Sequence, residues 1–178
     1  VDRGLSIAAL SDGRFFASAR DWMALVLGYA VTLGAPLVAA PLAREINESW
    51  NDQLAQLSEA TSLAKALNVT LAVRNAPETF AASAHDFKRV AKEADSAWLR
   101  FGPEPQRLDA ASDPRALGVN TVLLWSDAGL QTDRSVAATI AAFAGFRGHL
   151  VIDDAAESAS PAALAAALDR WRAALAAA

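Results

Sequence analysis

Cysteine is absent from this chain, and histidine is nearly so, with two among 178 residues. The lack of thiols excludes thiolate catalysis, disulfides, zinc–thiolate sites and iron–sulfur clusters, and it permits a reducing, cytoplasmic setting. Positive charge is also short: 16 Lys and Arg stand against 20 Asp and Glu, for a net charge of −4. The basic residues are scattered rather than clustered, so no face is offered to a phosphate backbone and nucleic acid is not an expected partner. The nine glycines form neither a G-x-G-x-x-G nor a G-x-x-x-x-G-K-[ST] phosphate loop. No Ser-His-Asp set can be assembled. His85 lies near a helix start, where it reads as a solvated or capping residue, and His149 opens a strand, at the end opposite the active face of a parallel α/β sheet.

One long apolar run is present, from Trp22 to Ala40. It is almost long enough to span a bilayer. Leu33-Gly34-Ala35-Pro36 interrupts it with a helix-stop glycine and a proline, so it divides into a buried helix and a short buried strand, and no membrane association is expected. No basic region precedes a cleavable apolar segment, so a signal peptide is not indicated.

At 53% hydrophobic, the sequence suits a single domain over residues 1–178 with a substantial core. Short apolar runs alternate with longer helical patterns, the signature of an α/β protein with a parallel sheet. Strands are expected at 5–10, 37–40, 70–74, 97–101, 121–125 and 149–153, and helices at 21–33, 48–67, 83–94, 134–144 and 161–177. The helix opening near Asn47 places Leu54, Leu57, Ala60, Thr61, Ala64 and Leu67 toward the sheet. Ser160-Pro161 is a helix-capping pair, and Pro103, Pro105 and Pro114 exclude a long helix over 102–120.

Four phrases, in order, resemble the xylose-isomerase-like TIM-barrel family of sugar isomerases, epimerases and type-IV endonuclease relatives. Leu71-Ala72-Val73-Arg74-Asn75 is similar to that family's "l-x-l-E-N", and Ala97-Trp98-Leu99-Arg100-Phe101-Gly102-Pro103-Glu104-Pro105 to "v-g-l-n-F-D-P-x-H". Val122-Leu123-Leu124-Trp125-Ser126-Asp127 resembles "v-H-x-K-D", and the stretch from Gly145 to Asp153 resembles "G-Y-x-G-x-x-x-I-E". The resemblance implies a TIM-barrel-like α/β domain with a site at the C-terminal ends of its strands. Only six strands are evident, so the barrel is expected to be incomplete or open, with a trace of a seventh strand near 129–133. The alternative is a flavodoxin-like open sheet.

Family members bind a divalent metal with acidic residues and histidine at these strand ends. The matching positions here are Arg74, Gly102, Leu124 and Asp153, of which only Asp153 could be a ligand, so no metal or other cofactor is expected. Arg74 is expected to supply positive charge in the metal's place and to approach Asp153 across the mouth; the alternative sends Arg74 to solvent and uses Asp153 as a turn cap. Arg74, Asn75, Trp125, Asp127 and Asp153 are the expected ligand-binding residues, with Trp125 a candidate platform for a sugar ring. Three readings of function stay open. The first is a non-catalytic relative, a pseudoenzyme, that binds a small polyol or anionic ligand. The second is a metal-independent isomerase or epimerase with Asp153 as base and Arg74 as electrophile. The third is an assembly domain, since an opened barrel exposes sheet edges and favours a homo-oligomer.

Overall fold

The computed structural model describes residues 4–108, 113–153 and 160–177. Among these residues six parallel strands alternate with five α-helices: β1 (Leu10–Ser11), α1 (Arg20–Leu33), β2 (Leu37–Pro41), α2 (Trp50–Leu67), β3 (Thr70–Arg74), α3 (Ala84–Ala94), β4 (Leu99–Phe101), β5 (Leu123–Asp127), α4 (Asp133–Ala142), β6 (His149–Asp153) and α5 (Pro161–Ala176). The helix boundaries follow local chemistry. Gly34, at φ 69°, ends α1 in the left-handed conformation that a glycine adopts without strain. Ser49 and Ser160 accept backbone N–H bonds at the starts of α2 and α5, and reciprocal capping boxes open α3 (Ser83, Asp86) and α4 (Thr132, Ser135).

Strand order is sequential. β1, β2, β3 and β4 form one parallel sheet and β5 and β6 a second. A parallel bridge between Phe101 and Thr121, with the Val122 N–H donating to Phe101 O at 2.9 Å, carries the ladder from β4 to β5. A flavodoxin-like sheet reverses its strand order near the middle, so the sequential order excludes that alternative. The sheet bends like a barrel but does not close, leaving β1 and β6 as its edges among the described residues.

Two cores lie on its two sides. The larger packs the helices against outward-facing strand residues such as Val38, Leu71, Val73, Phe101 and Leu124. The smaller, built from Leu37, Ala39, Ala72, Leu123 and Trp125, fills the concave side where the barrel interior would be.

Several expectations need correction. The first strand pairs only at Leu10–Ser11, and Leu5 is left exposed, because an edge segment has a neighbour on one side only. Residues 129–133 hold no strand: Ala128–Leu130 is a 3-10 turn whose Gly129 N–H donates to the Asp127 carboxylate. Trp98 precedes β4 rather than lying on it. On α2, Leu67 is exposed, whereas Leu57, Ala60 and Ala64 are fully buried and so is the unexpected Gln53, which accepts from Ala43 N at 2.7 Å and donates to Phe16 O at 3.2 Å. The run from Trp22 to Ala40 is split between α1 and β2 as expected, and no helix among the described residues is long and apolar enough to cross a membrane.

Candidate functional site

Alternation along a strand decides which side chains can meet at the mouth of the sheet. On β3, Ala72 belongs to the concave core, so Arg74 continues on that side beyond the last layer. On β5 the concave residues are Leu123, Trp125 and therefore Asp127. On β6, Asp153 lies in register with Asp127. Leu124 has the opposite parity and is buried among the helices. The sequence match that assigned Leu124 to the mouth is thus one residue out of phase, and Trp125 occupies the inward position.

Trp125 lies at the floor of the site, 6% exposed. The Arg74 guanidinium lies over its ring, 3.6 Å from the centroid. This is close cation–π contact, with the indole face shielding the cation from water. The ring is therefore a seat for Arg74. Its position depends on Gly102, where an added Cβ would come within 3.2 Å of Trp125 Nε1 and 3.3 Å of Leu123 Cβ.

Arg74 Nη2 lies 4.0 Å from Asp153 Oδ2, so the two residues expected to approach each other do so, though at a distance longer than a hydrogen bond. The same nitrogen is also 4.0 Å from Glu104 Oε2, a residue the motif reading passed over because it fell at a variable position. Among the described residues the Arg74 guanidinium makes no hydrogen bond. Glu104 is by contrast firmly held. Its N–H donates to Asn75 Oδ1 at 2.6 Å, Asn75 Nδ2 donates to its carbonyl at 3.2 Å, and Arg107 Nε donates to Oε1 at 2.6 Å. Asn75, named from the sequence as a ligand contact, is buried and acts as a brace between β3 and the segment after β4. Arg107 also donates to Asp127 Oδ2 at 2.7 Å, and Asp127 Oδ1 accepts from Gly129 N at 2.8 Å.

Burial sets the electrostatics. It pushes the Glu104 carboxyl above the ordinary glutamate range, against the pull of the Arg107 hydrogen bond and the Arg107 and Arg74 charges. Burial likewise lowers the Arg74 pKa, with Glu104 and Asp153 opposing it. Hydrogen bonding to Glu104 raises that of Arg107. Both arginines stay charged at neutral pH.

The donor set does not suit a divalent cation. Arg74 places a positive group between two of the carboxylates, the space a side chain would need at 102 is taken by the Trp125 indole, and Leu124 faces away. Among the described residues no three His, Asp or Glu side chains converge as a metal shell would require. His85 and His149 are both exposed, one in the first turn of α3 and the other at the start of β6, the opposite end of that strand from Asp153. A cavity of about 820 Å³ lies elsewhere, outside the sheet between α4 and α5, lined by Ile140, Phe143, Phe146, Leu150 and Trp171.

No family model and no curated protein sequence matches this chain. Solved structures do match in fold. The apo 3-keto-D-glucoside 4-epimerase YcjR from E. coli superposes with a TM-score of 0.75 at 13% identity, over 97% of this chain and 81% of that one. A xylose isomerase domain protein from Alicyclobacillus acidocaldarius gives 0.73 at 14% identity, over 98% and 78%. The IolI protein with a bound zinc atom gives 0.68 at 15%, over 96% and 74%. At these identities the likeness is one of fold: the chain has the α/β architecture of xylose-isomerase-like TIM barrels, with the barrel not closed.

Proposed function

We propose that this chain, built on the fold of sugar epimerases and isomerases, binds a small neutral polyol at the C-terminal mouth of its strands without turning it over. The observation that carries this reading is Arg74, seated on Trp125 and flanked by Glu104 and Asp153 with no hydrogen bond to either. A partly buried guanidinium with unused donors is a binding group. Charge then selects the ligand. Arg74 and Arg107 face Glu104, Asp127 and Asp153, two positive groups against three negative, so the mouth repels a further anion and accepts a neutral molecule. Names of fold neighbours such as 3-keto-D-glucoside 4-epimerase and D-tagatose 3-epimerase-like protein support a carbohydrate-like ligand.

A second reading keeps catalysis: Asp153 as base and Arg74 as the group that stabilises an enediolate, without a metal. The raised pKa of Glu104 favours it, because a carboxyl that holds its proton nearer neutrality can return one to the substrate. The unclosed edges at β1 and β6 support self-association as an accompanying property.

Titration calorimetry with neutral ketoses and cyclitols and with sugar acids, followed by NMR of the recovered sugar, tests the proposal. Binding of neutral polyols with unchanged sugar is expected. Isomerised sugar, lost in Arg74→Ala, would establish the second reading, and binding of sugar acids alone would refute the neutral-ligand assignment.

A further inference from the structure

Resting on that polyol reading, we infer that the ligand engages the mouth through a pair of hydroxyls on adjacent or next-adjacent carbons. One hydroxyl bridges Arg74 to Glu104, and the other bridges Arg74 to Asp153.

The argument is geometric. Two gaps of 4.0 Å radiate from one nitrogen, Arg74 Nη2, to Glu104 Oε2 and to Asp153 Oδ2. Each is too long for a direct hydrogen bond, which closes by about 3.2 Å. Each is right for a single oxygen set off the line. An oxygen about 2.8 Å from both ends subtends an angle of roughly 90°, which a hydroxyl that accepts on one side and donates on the other can support.

The chemistry of the two ends is also selective. Nη2 only donates, and both carboxylates, when ionised, only accept. A bridging group must therefore carry a lone pair and a proton on one atom. A ligand carboxylate or phosphate brings acceptors alone, an ammonium brings donors alone, and a hydroxyl brings both. This pairing explains why a guanidinium can stand beside two carboxylates and close on neither.

Because the two gaps share Nη2, the bridging oxygens lie within about 5.6 Å of each other, twice the hydrogen-bond length. That limit admits 1,2- and 1,3-diols held by one carbon skeleton and excludes hydroxyls at opposite ends of an extended ligand. The two gaps differ in depth. The Glu104 side chain is 6% exposed and that of Asp153 is 41% exposed, so one hydroxyl enters first and deepest and the second seats at the rim. Glu104 is fixed by Asn75 and Arg107 near the middle of the sheet, whereas Asp153 ends β6, an edge strand among the described residues, which makes the inner gap the constant part of the recognition.

The test uses ligand-observed NMR on the intact chain with myo-inositol and simple ring alcohols: cyclohexane-1,2-diol, -1,3-diol and -1,4-diol, and cyclohexanol. The 1,2- and 1,3-diols should displace myo-inositol, and the trans-1,4-diol, whose two oxygens stand at the edge of that limit, and cyclohexanol should fail at tenfold higher concentration. Asp153→Ala should still melt cooperatively and should weaken diol binding at least tenfold. Arg74→Met should abolish it. Equal displacement by cyclohexanol and the diols, or unchanged diol affinity in Asp153→Ala, would overturn the paired-hydroxyl assignment while leaving a polyol site in place. Failure of every neutral polyol to bind would instead remove the polyol reading itself.

Discussion

The indole of Trp125 lies against Cα of Gly102, so close that a methyl group at 102 would sit 3.2 Å from Nε1. An empty position on β4's extension and a large residue on β5 are thus one feature. The glycine makes room, the tryptophan fills it, and the filled space becomes the seat of Arg74.

Gly102→Ala should destabilise the fold by about 1–3 kcal/mol, the usual cost of overpacking a closed interior. Its neighbours are a ring and two Cβ atoms on strands, none of which can swing away. Gly13→Ala, where an added Cβ meets nothing within 4 Å, serves as the control and should fall within about 0.5 kcal/mol of the parent. Urea melts of the two variants decide the point, and equal midpoints would show that the interior is not closed around Trp125.

Trp125→Ala should cost about 3–5 kcal/mol, because it opens a cavity in the concave core and unseats a charged group. Trp125→Phe keeps a ring beneath Arg74 and should lose substantially less. A phenylalanine variant as unstable as the alanine one would mean that the cation–ring contact contributes nothing.

Stability should depend on pH through Glu104. Burial raises its pKa, so the folded protein holds this proton more tightly than the unfolded chain does. The contribution of Glu104 to stability therefore falls as pH rises from the ordinary glutamate value to the raised folded one, and is level outside that window. Relative to the untitratable Glu104→Gln, the parent should lose ground across this window. Denaturant melts of both proteins at a series of pH values read the difference directly, and an advantage of the parent that grows with pH would contradict the assignment.

Gln53→Leu should cost about 1–3 kcal/mol despite adding apolar surface. The leucine leaves Ala43 N–H and Phe16 C=O, both in buried surroundings, without their bridge. Amide exchange at Ala43 should accelerate in this variant, and unchanged protection there would show that the bridge is dispensable.

Manganese, magnesium and zinc should leave the melting temperature unchanged, since a ligand stabilises a fold only by binding it. A rise with any of them that disappears in Asp153→Ala would restore a metal to the mouth.

How much of this was legible beforehand varied with the kind of information each feature needs. The bounds of β3 and β6 could be read from apolar runs closed by polar residues, and the helix starts from Ser160-Pro161 and Ser83 with Asp86. β1 could not, because apolar residues at 5–9 have strand character but pairing is granted by a partner, and the edge offers one only at Leu10 and Ser11. The inward phase of β5 was hidden for a related reason. Leu123, Leu124 and Trp125 are all buried, and a strand covered on both faces shows no alternation. Glu104 and Gln53 were passed over because a motif position marked variable and an apolar stripe both direct attention away from a polar residue. The clue for Glu104 was its parity with Gly102, two residues before it.

The Asn75 side chain meets the Glu104 backbone through one donor and one acceptor, as a further residue pair in the β3–β4 ladder would. The inner half of the mouth thereby moves with the middle of the sheet, whereas Asp153 rides on β6, which among the described residues has a strand neighbour on one side only. Hydrogen exchange should report this as two timescales in one small site: slow opening at Glu104 and Val73, fast opening at Ile152 and Asp153. A ligand held across both would act as a clasp, tying the free rim of the sheet to its rigid centre, and would slow exchange most where no ligand atom touches the backbone.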